Sequence, residues 1–438
     1  MSRLPVAVVS KLDKIPQQIA DSKQRQCRYT SPNCSHPIRM NKDLSLLQRY
    51  PFERLTDLKQ GLQPPSALDH IALSIGEPRH PAPRFVVENL IAHLHQLSNY
   101  PSTRGSEALR EAISNWLSQR FDIPAENLDP GCHVLPVSGT REALFAIAQC
   151  LIDRTATNPL LFMPNPFYQI YEGAALLAGA TPRYLDCLPE QGFLPDLEAI
   201  TASEWTDCQM IYICNPGNPT GAVMPPGYLR HLIELAHQHD FVIASDECYS
   251  EIYFTEDKPP AGLLGVATEM GNDNFSHCLV FNSLSKRSSL PGLRSGFVAG
   301  DAGLLEKFLL YRTYHGCALP PATQSASTVA WQDEAHVIEN RRLYGEKFEQ
   351  VLALLSATLA PQKPQAGFFL WAQTPISDTE FTRRLYAEQN VTVLPGRYLA
   401  RDSAMGNPGQ DRVRMALVAP LDECIDAARR INMLLAVL

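Results

Sequence analysis

Short apolar runs alternate with amphipathic stretches from about residue 133 to residue 300. Seven runs carry strand-favouring residues and then turn residues: HVLPVSG, PLLFMPNP, TPRYLDC, QMIYICNP, FVIASDE, CLVFNSLSK and GFVAGD. The segment TREALFAIAQCLI puts Leu144, Ile147 and Leu151 on one helical face, and GYLRHLIELAHQH repeats this spacing. Strands that alternate with helices predict an α/β fold built on a parallel sheet.

The start of the chain has a different pattern. Residues 1–39 mix Gln, Lys, Arg, Ser and Pro with neither a helical nor a strand period, whereas periodic apolar spacing begins after Met40 at Leu44, Leu47 and Leu55. A segment without an apolar face cannot pack on a core. We therefore expect residues 1–39 to be a disordered extension and the folded protein to begin near Met40.

Composition narrows the class of ligand. The chain has 438 residues, 45% of them hydrophobic, and a formal net charge of −8 without a basic block. This balance argues against a nucleic-acid or anionic-membrane partner and favours small molecules. No apolar stretch reaches the roughly 20 residues of a membrane span, and no signal-peptide pattern is recognised, so we expect a cytoplasmic protein.

The eleven cysteines are scattered without a CxxC pair, which is typical of buried thiols in a reducing compartment. Cys27, Cys34 and His36 are the one cluster with metal-ligating residue types, but the spacing is irregular and a fourth ligand is missing. We expect no metal site.

Loops at the carboxyl ends of parallel strands are where ligands bind in such sheets. Ser138, Gly139 and Thr140 end the first strand and open a helix, where small residues and free N–H groups suit a phosphate. The same residues also suit an ordinary turn in which Thr140 caps the helix. Tyr168 follows the next strand; it can stack on a planar ring, or it can simply pack in the core.

Three further strand ends carry polar residues. Asn218 lies in the rigid loop NPGNPTG, and Asp246 lies just beyond a buried strand with Tyr249 three positions later. A buried carboxylate needs a cation or strong donors, so Asp246 either pairs with an arginine, caps a helix or holds a cationic ligand atom.

The lysine in SLSKRSSLPGLRSGF is the clearest candidate for chemistry. A desolvated lysine at a strand end is a usable amine nucleophile that forms a Schiff base with an aldehyde, although a lone lysine is ordinarily a surface charge. Beside it, Ser283, Ser285 and Arg294 supply hydroxyls and a guanidinium for a phosphate. Together the strand-end residues predict a phosphorylated aromatic aldehyde with a protonated ring nitrogen, which is pyridoxal 5'-phosphate.

The segments SGT, PFY, NPGNPTG, SDECY and SLSKRSSLPGLRSGF, in this order, resemble those of the class I and II aminotransferases of fold type I. The resemblance runs from about residue 44 to the C-terminus. It implies a large domain (residues 86–320) with a mostly parallel seven-stranded sheet covered by helices. It also implies a smaller α/β domain, made of part of an N-terminal arm (residues 40–85) and the C-terminal third (residues 321–438).

The same resemblance implies a role for each site residue. Lys286 would carry the cofactor as a Schiff base and transfer the proton, and Asp246 would pair with the pyridine nitrogen. Asn218 and Tyr249 would bind the ring hydroxyl, and Tyr168 would stack on the ring. The phosphate would be held by the backbone amides around Gly139, Thr140 and Arg141 and by the side chains of Ser283, Ser285 and Arg294.

Three more positions follow from the family. Tyr100 in NYPSTRG would reach the phosphate of a neighbouring subunit, which implies a homodimer with shared active sites. Gly76, Asn218 and Arg414 would bind the α-carboxylate of the substrate. Arg412 competes with Arg414, because strand alternation puts both on one face.

Longer stretches, such as LSIGEPRHPAP and NPFYQIYEGAALLAGA, are similar to one subgroup, the N-succinyl-L,L-diaminopimelate aminotransferases of lysine biosynthesis. That similarity implies exchange of the amine of L-glutamate with N-succinyl-2-amino-6-oxopimelate. Arg141, just past the phosphate loop, and Arg79, next to Gly76, are candidates for the distal carboxylates, and they would equally be a solvated helix-start arginine and a loop charge. The alternatives are an aminotransferase for aspartate, alanine or aromatic amino acids, a C–S lyase, and a cofactor-sensing regulatory module. The regulatory module is disfavoured, because no helix-turn-helix segment or basic patch precedes the fold in this sequence.

Overall fold

The structure is a computed structural model that describes residues 40–438. The predicted extension and the Cys27, Cys34 and His36 cluster lie outside the described residues. Residues 43–438 form one compact unit, to which the following elements belong.

The strands of this unit fall into one large and two small sheets. In chain order they are β1 (Ile71–Ala72), β2 (Val134–Val137), β3 (Leu160–Asn165), β4 (Thr181–Asp186), β5 (Cys208–Cys214), β6 (Val242–Asp246), β7 (Cys278–Ser283), β8 (Gly296–Gly300), β9 (Phe369–Gln373), β10 (Val391–Thr392), β11 (Leu394–Pro395) and β12 (Arg412–Ala416).

The α-helices alternate with the strands of the large sheet and then cluster towards the C-terminus. They are α1 (Pro51–Leu58), α2 (Arg84–Ala92), α3 (Glu107–Phe121), α4 (Thr140–Leu151), α5 (Ile170–Ala178), α6 (Ala202–Asp207), α7 (Pro226–His239), α8 (Leu263–Glu269), α9 (Leu284–Arg287), α10 (Ala302–His315), α11 (Pro321–Trp331), α12 (Ala335–Leu354), α13 (Asp378–Gln389) and α14 (Leu421–Leu435).

The large sheet has seven strands in the order β2-β8-β7-β6-β5-β3-β4. Strand β8 runs antiparallel to both β2 and β7, and the other neighbours are parallel. All seven runs identified in the sequence form these strands, so the predicted mostly parallel sheet is confirmed.

Both faces of this sheet are buried. Along β5, Ile211 and Ile213 belong to one hydrophobic cluster, whereas Met210 and Tyr212 belong to the cluster on the opposite face. This alternation follows from the period of two in a strand, and it explains why the central strands read as nearly continuous apolar runs. Crossover helices such as α4, whose Leu144 is fully buried, cover the faces as the spacing predicted.

A smaller α/β layer is built from the beginning and the end of the unit. Strands β11, β12 and β9 form an antiparallel sheet, and β1 pairs in parallel with β10. Helices α12, α13 and α14 pack with these strands in a separate hydrophobic cluster. The limits predicted for the two domains, at residues 86 and 320, stay a prediction.

Three other expectations can be compared with the described residues. Within residues 40–438, no helix is long and apolar enough to cross a membrane. In the same range, the cysteines are free thiols and no three His, Cys, Asp or Glu side chains are grouped to hold a metal ion.

Candidate active site

A cavity of about 500 Å³ opens at the carboxyl ends of β5, β6 and β7. The sheet contributes strand-end residues, and β9, β12 and the segment after β1 contribute the opposite wall. Most of the residues predicted for a site line this one cavity: Gly76, Thr140, Arg141, Tyr168, Asn218, Asp246, Tyr249, Ser283, Ser285, Lys286, Arg294 and Arg414.

Asp246 is the last residue of β6, and its carboxylate is buried. One oxygen accepts a hydrogen bond from the Tyr171 hydroxyl at 2.8 Å, and the other accepts one from the backbone N–H of Cys248 at 3.3 Å. Burial raises the pKa of this carboxyl, and no Lys, Arg or His in residues 40–438 forms an ion pair with it. A cationic ligand atom in the cavity would therefore be held strongly.

Lys286 lies in the four-residue helix α9, which follows β7 directly. Its Nζ donates to the backbone carbonyl of Gly76 and lies 5.2 Å from the centre of the Phe368 ring. Burial lowers the pKa of this amine to about 8, and the nearby positive charge of Arg414 acts in the same direction. An amine with a pKa near neutrality is suited to act as a nucleophile and as a base.

The chain after β1 approaches the cavity so closely that residue 76 must be glycine. A Cβ atom on Gly76 would lie 2.8 Å from Cζ of Phe369 and 3.1 Å from the Phe368 ring. A Cβ atom closer than 3.0 Å to a ring carbon would overlap it, so the Phe369 ring would have to shift to admit any other residue at position 76. The glycine thus lets a backbone carbonyl reach the amine of Lys286.

The amino end of α4 and the loop after α9 form an anion-binding corner. Gly139 precedes α4 with a φ of 98°, and a Cβ there would collide with the guanidinium of Arg294. The N–H groups of the first turn of a helix attract negative charge. The hydroxyls of Ser283 and Ser285 lie at the same cavity. These donors and Arg294 suit a phosphate group.

Arg294 carries an acidic partner that the sequence did not reveal. Its Nη2 lies 3.1 Å from Oε2 of Glu142, and its Nη1 donates to the carbonyl of Pro291 at 3.0 Å. Both side chains of the pair are partly exposed, and such a pair is weak in solvent. A phosphate dianion can therefore compete with Glu142 for this guanidinium.

Arg414 is a buried guanidinium with no acidic partner in the described part of the chain. Its side chain donates to Oδ1 of Asn218 at 3.0 Å and to the carbonyl of Ser74 at 2.8 Å, while its Nε has no hydrogen-bond partner. Burial lowers its pKa to about 10. A carboxylate in the cavity would supply the missing negative charge. Arg412, by contrast, lies over the Phe193 ring and does not line the cavity.

A second guanidinium lies at the cavity, on the first turn of α4. Arg141 donates through Nε to the Tyr168 hydroxyl at 2.7 Å and through Nη2 to the Tyr50 hydroxyl at 3.0 Å. It forms no ion pair within residues 40–438. The other sequence candidate for distal carboxylates, Arg79, pairs instead with Glu423 at 3.0 Å and is not part of the cavity wall.

Tyr100 was predicted as a site residue, but it is not among the residues of this site. Its side chain is fully exposed, and it does not line the cavity of its own chain. Tyr50 and Glu142, which do line the cavity, were missed by the sequence reasoning. Glu142 lies within the segment TREALFAIAQCLI, so its position two residues after Thr140 at the helix start was the available signal.

Comparison with known proteins gives the family. The sequence model described as "Aminotransferase class I and II" matches residues 69–431. A crystal structure of an aminotransferase from Neisseria meningitidis Z2491 is 45% identical with a TM-score of 0.85, and the match covers 90% of this chain and 100% of that one. The LL-diaminopimelate aminotransferase of Maridesulfovibrio salexigens is 30% identical over 397 residues, 89% of this chain and 98% of that protein.

A third relative is a probable N-succinyldiaminopimelate aminotransferase from Thermus thermophilus. Its structure is 26% identical with a TM-score of 0.76, and the match covers 87% of this chain and 99% of that one. The family match spans most of the chain, and the large sheet has the fold-type I order. The chain therefore belongs to the class I and II aminotransferases, which use pyridoxal 5'-phosphate.

Proposed function

We propose that this protein is a succinyldiaminopimelate transaminase, which exchanges the amine of L-glutamate with N-succinyl-2-amino-6-oxopimelate. The observation that carries the proposal is the pair of guanidinium groups, Arg414 and Arg141, that face the cavity of Lys286 without an ion pair of their own. A substrate with a carboxylate at each end matches two such cations.

The residues of the cavity fit pyridoxal 5'-phosphate. The buried Asp246, with its raised pKa and no ion pair in residues 40–438, fits a protonated ring nitrogen, and Lys286 fits the aldehyde. Asn218 and Tyr249 would bind the ring hydroxyl, and Tyr168 would stack on the ring. The backbone N–H groups from Gly139 to Arg141 would hold the phosphate together with the side chains of Ser283, Ser285 and Arg294, which leaves the guanidinium of Arg141 free. When bound, this group accepts the electrons that remain when a proton leaves the substrate α-carbon.

Each catalytic step then rests on a side chain of this protein. Lys286 would hold the cofactor through its amine and, once the substrate amine has freed it, would move the proton that leaves the substrate α-carbon. Asp246 would keep a proton on the ring nitrogen, and the Tyr171 hydroxyl, which donates to its carboxylate at 2.8 Å, fixes the orientation of that carboxylate. Arg414 and the Gly76 backbone orient the α-carboxylate.

The proposal includes a homodimer with shared active sites. Its support is Tyr100, whose fully exposed side chain is available to a second copy of the chain rather than to its own cavity. A neighbouring Tyr100 hydroxyl would add one more donor to the phosphate.

The names of two relatives support the substrate class. One is an LL-diaminopimelate aminotransferase and the other a probable N-succinyldiaminopimelate aminotransferase. The first name also favours a second candidate function, in which the substrate is the unblocked LL-diaminopimelate. The two substrates differ at the distal nitrogen, which carries a succinyl group in one and a positive charge in the other.

A half-reaction assay separates these candidates. The pyridoxamine form of the enzyme is mixed with one keto acid at a time, and return of the pyridoxal absorption is followed. We expect N-succinyl-2-amino-6-oxopimelate to react with a higher kcat/KM than the competing keto acids oxaloacetate, pyruvate and phenylpyruvate. Faster conversion of unblocked LL-diaminopimelate with 2-oxoglutarate would assign the second function, and pyruvate release from cystathionine without a keto acid would assign a lyase.

Replacing Arg141 by alanine is expected to affect the succinylated substrate selectively. Loss of a charge-assisted contact of about 1.5 to 3 kcal/mol corresponds to a fall of about 10- to 150-fold in kcat/KM. Glutamate is too short to use a distal contact, so its kcat/KM should change much less. The measurement is kcat/KM for both substrates in the same preparation.

Arg79 provides the matched control, because it is an arginine near the cavity whose charge is already paired with Glu423. Arg79→Ala should leave both kcat/KM values within about twofold of the starting protein, as expected for a surface ion pair. Equal losses for the two substrates in Arg141→Ala would remove Arg141 from the specificity argument.

A further inference from the structure

A buried lysine on α12 has no carboxylate partner in the described part of the chain. Lys347 is only 3% exposed, and its Nζ lies 2.7 Å from Nε2 of His80 and 3.4 Å from the carbonyl of Val418. Burial lowers the pKa of Lys347 to about 8. Burying an ammonium group costs free energy of folding unless the group is hydrogen-bonded, so its contacts with His80 and Val418 are required to keep it there.

His80 continues this contact to a second residue of α12. Its Nδ1 lies 2.7 Å from Oδ1 of Asn340, and its ring packs 4.5 Å from the centre of the Tyr344 ring. Asn340, Tyr344 and Lys347 are spaced by four and three residues, which places them on one face of α12. His80 thus bridges two polar side chains of the same helix face.

Asn340 makes the final contacts, which reach the helix that carries Lys286. Its Nδ2 donates to the backbone carbonyls of Lys286 and Arg287, each at 3.1 Å. The last carbonyls of a helix have no partner within the helix. In the four-residue helix α9, these two carbonyls are satisfied by a single buried amide.

These contacts fix the direction of each hydrogen bond from Lys347 to the backbone of Lys286. Because only the NH₂ group of an amide can donate to two carbonyls, Oδ1 of Asn340 must be the atom that faces His80. Oδ1 is an acceptor, so Nδ1 of His80 carries a proton and donates. Nε2 of a neutral His80 then accepts from the Lys347 ammonium. The order from donor to acceptor runs from Lys347 through His80 and Asn340 to the backbone of Lys286.

The segment that contains His80 also contacts Lys286 from the other side. Gly76, four residues earlier, accepts the hydrogen bond from Nζ of Lys286, and the carbonyl of His80 accepts one from Ser289 at 2.9 Å. The backbone of Lys286 is therefore fixed through His80 and its amine through Gly76.

We propose that Asn340 is a positioning residue that fixes the backbone of Lys286, and that His80 and Lys347 hold the Asn340 amide in the required orientation. The inference rests on the proposed role of Lys286. None of the three side chains lines the cavity, so they act on the reaction through the position of Lys286 and not by contact with a ligand.

The test compares Asn340→Ala with the unchanged protein, both loaded with pyridoxal phosphate. We expect full cofactor content, a KM for glutamate within about twofold and a kcat lower by about 10- to 100-fold, because a small displacement of the reacting amine costs rate rather than binding. The pH midpoint of the visible absorption of the bound cofactor should also shift. A merely structural role would lower the melting temperature and leave that midpoint unchanged.

A double-mutant cycle separates a connected series of contacts from independent ones. One variant combines two changes. His80→Phe keeps a ring against Tyr344, and Lys347→Met removes the ammonium that would otherwise lose its hydrogen-bond acceptor. If the three residues act in series, the loss of kcat in the variant that carries all three changes should be much smaller than the combined losses of Asn340→Ala and of the His80 and Lys347 variant. This pair of changes also serves as the test should Asn340→Ala fail to fold, with the same expected shift of the absorption midpoint.

Arg342→Ala is the matched control on α12, since Arg342 is exposed and pairs with Glu339 and Glu346. It should leave kcat and the absorption midpoint unchanged. The proposal is overturned if folded Asn340→Ala, or the His80 and Lys347 variant, has the starting kcat and midpoint while Lys286→Ala is inactive. If Lys286→Ala itself keeps turnover, the proposed function is what fails.

Discussion

Replacing Lys286 by alanine is expected to lower kcat by about 10⁴-fold while the protein still binds pyridoxal phosphate. The amine provides both the covalent attachment and the proton transfer, and general acid–base catalysis by one group contributes up to about 10⁴-fold. The corner formed by Gly139, Ser283 and Arg294 remains, so the phosphate is still held. Single-turnover kinetics with glutamate, together with cofactor content after dialysis, measure the two effects separately.

Lys307 offers a matched control, because it is an exposed lysine on α10 that lies 3.9 Å from Glu306. Lys307→Ala should keep the starting kcat. Adding a small primary amine to Lys286→Ala should restore part of the lost rate if the missing group is a proton carrier, since the cavity keeps the space of the side chain. Normal turnover by Lys286→Ala without added amine would overturn its assignment.

Strand positions could be predicted because the central strands are buried on both faces. The run MIYIC is apolar throughout, because Ile211 and Tyr212 belong to hydrophobic clusters on opposite faces of the sheet. Strand direction could not be predicted in the same way. GFVAG has the same apolar character as its parallel neighbours, yet β8 is antiparallel to β7, because alternation of side chains does not depend on direction.

Some residues of the candidate site could be predicted from the sequence itself, and others only from the family resemblance or from the structure. Asp246 and Lys286 were found from their residue types at strand ends, because parallel strands bring their carboxyl ends to one edge of the sheet. Gly76 and Arg414 were expected only from the family resemblance, since they come from parts of the chain that are remote in sequence. The separation of Arg414 from Arg412 needed the structure, because both belong to one face of β12.

Contacts between distant residues left no local signal. Asn340 follows Lys286 by 54 positions and His80 precedes it by more than 200, so neither the helical period of α12 nor the GEPRHP segment indicated their connection. The bond from Tyr50 to Arg141 is of the same kind, with 91 positions between the residues. Hydrogen bonds of this range depend on how the layers pack, which a period of 2 or 3.6 does not encode.

The second large effect is expected for Asp246→Asn, which changes one buried oxygen to an NH₂ group. A neutral amide cannot keep a proton on the cofactor ring nitrogen, so the electrons left by the α-proton lose their most stabilising acceptor. Removal of one preorganised charge of this kind slows a reaction by about 10²- to 10³-fold. The rate of α-proton removal is measured in stopped flow with ordinary and α-deuterated glutamate, and the isotope effect should rise because this step becomes fully rate-limiting.

Tyr171→Phe is the control that separates charge from orientation at the same site. It removes the hydroxyl that donates to Asp246 at 2.8 Å and leaves the carboxylate in place. One hydrogen bond to a charged group is worth about 1.5 to 3 kcal/mol, and only the part that differs between ground and transition state affects the rate. We therefore expect a smaller loss for Tyr171→Phe than for Asp246→Asn. If Asp246→Asn removed the α-proton at the starting rate, with an unchanged isotope effect, the carboxylate would not be the group that keeps the ring nitrogen protonated.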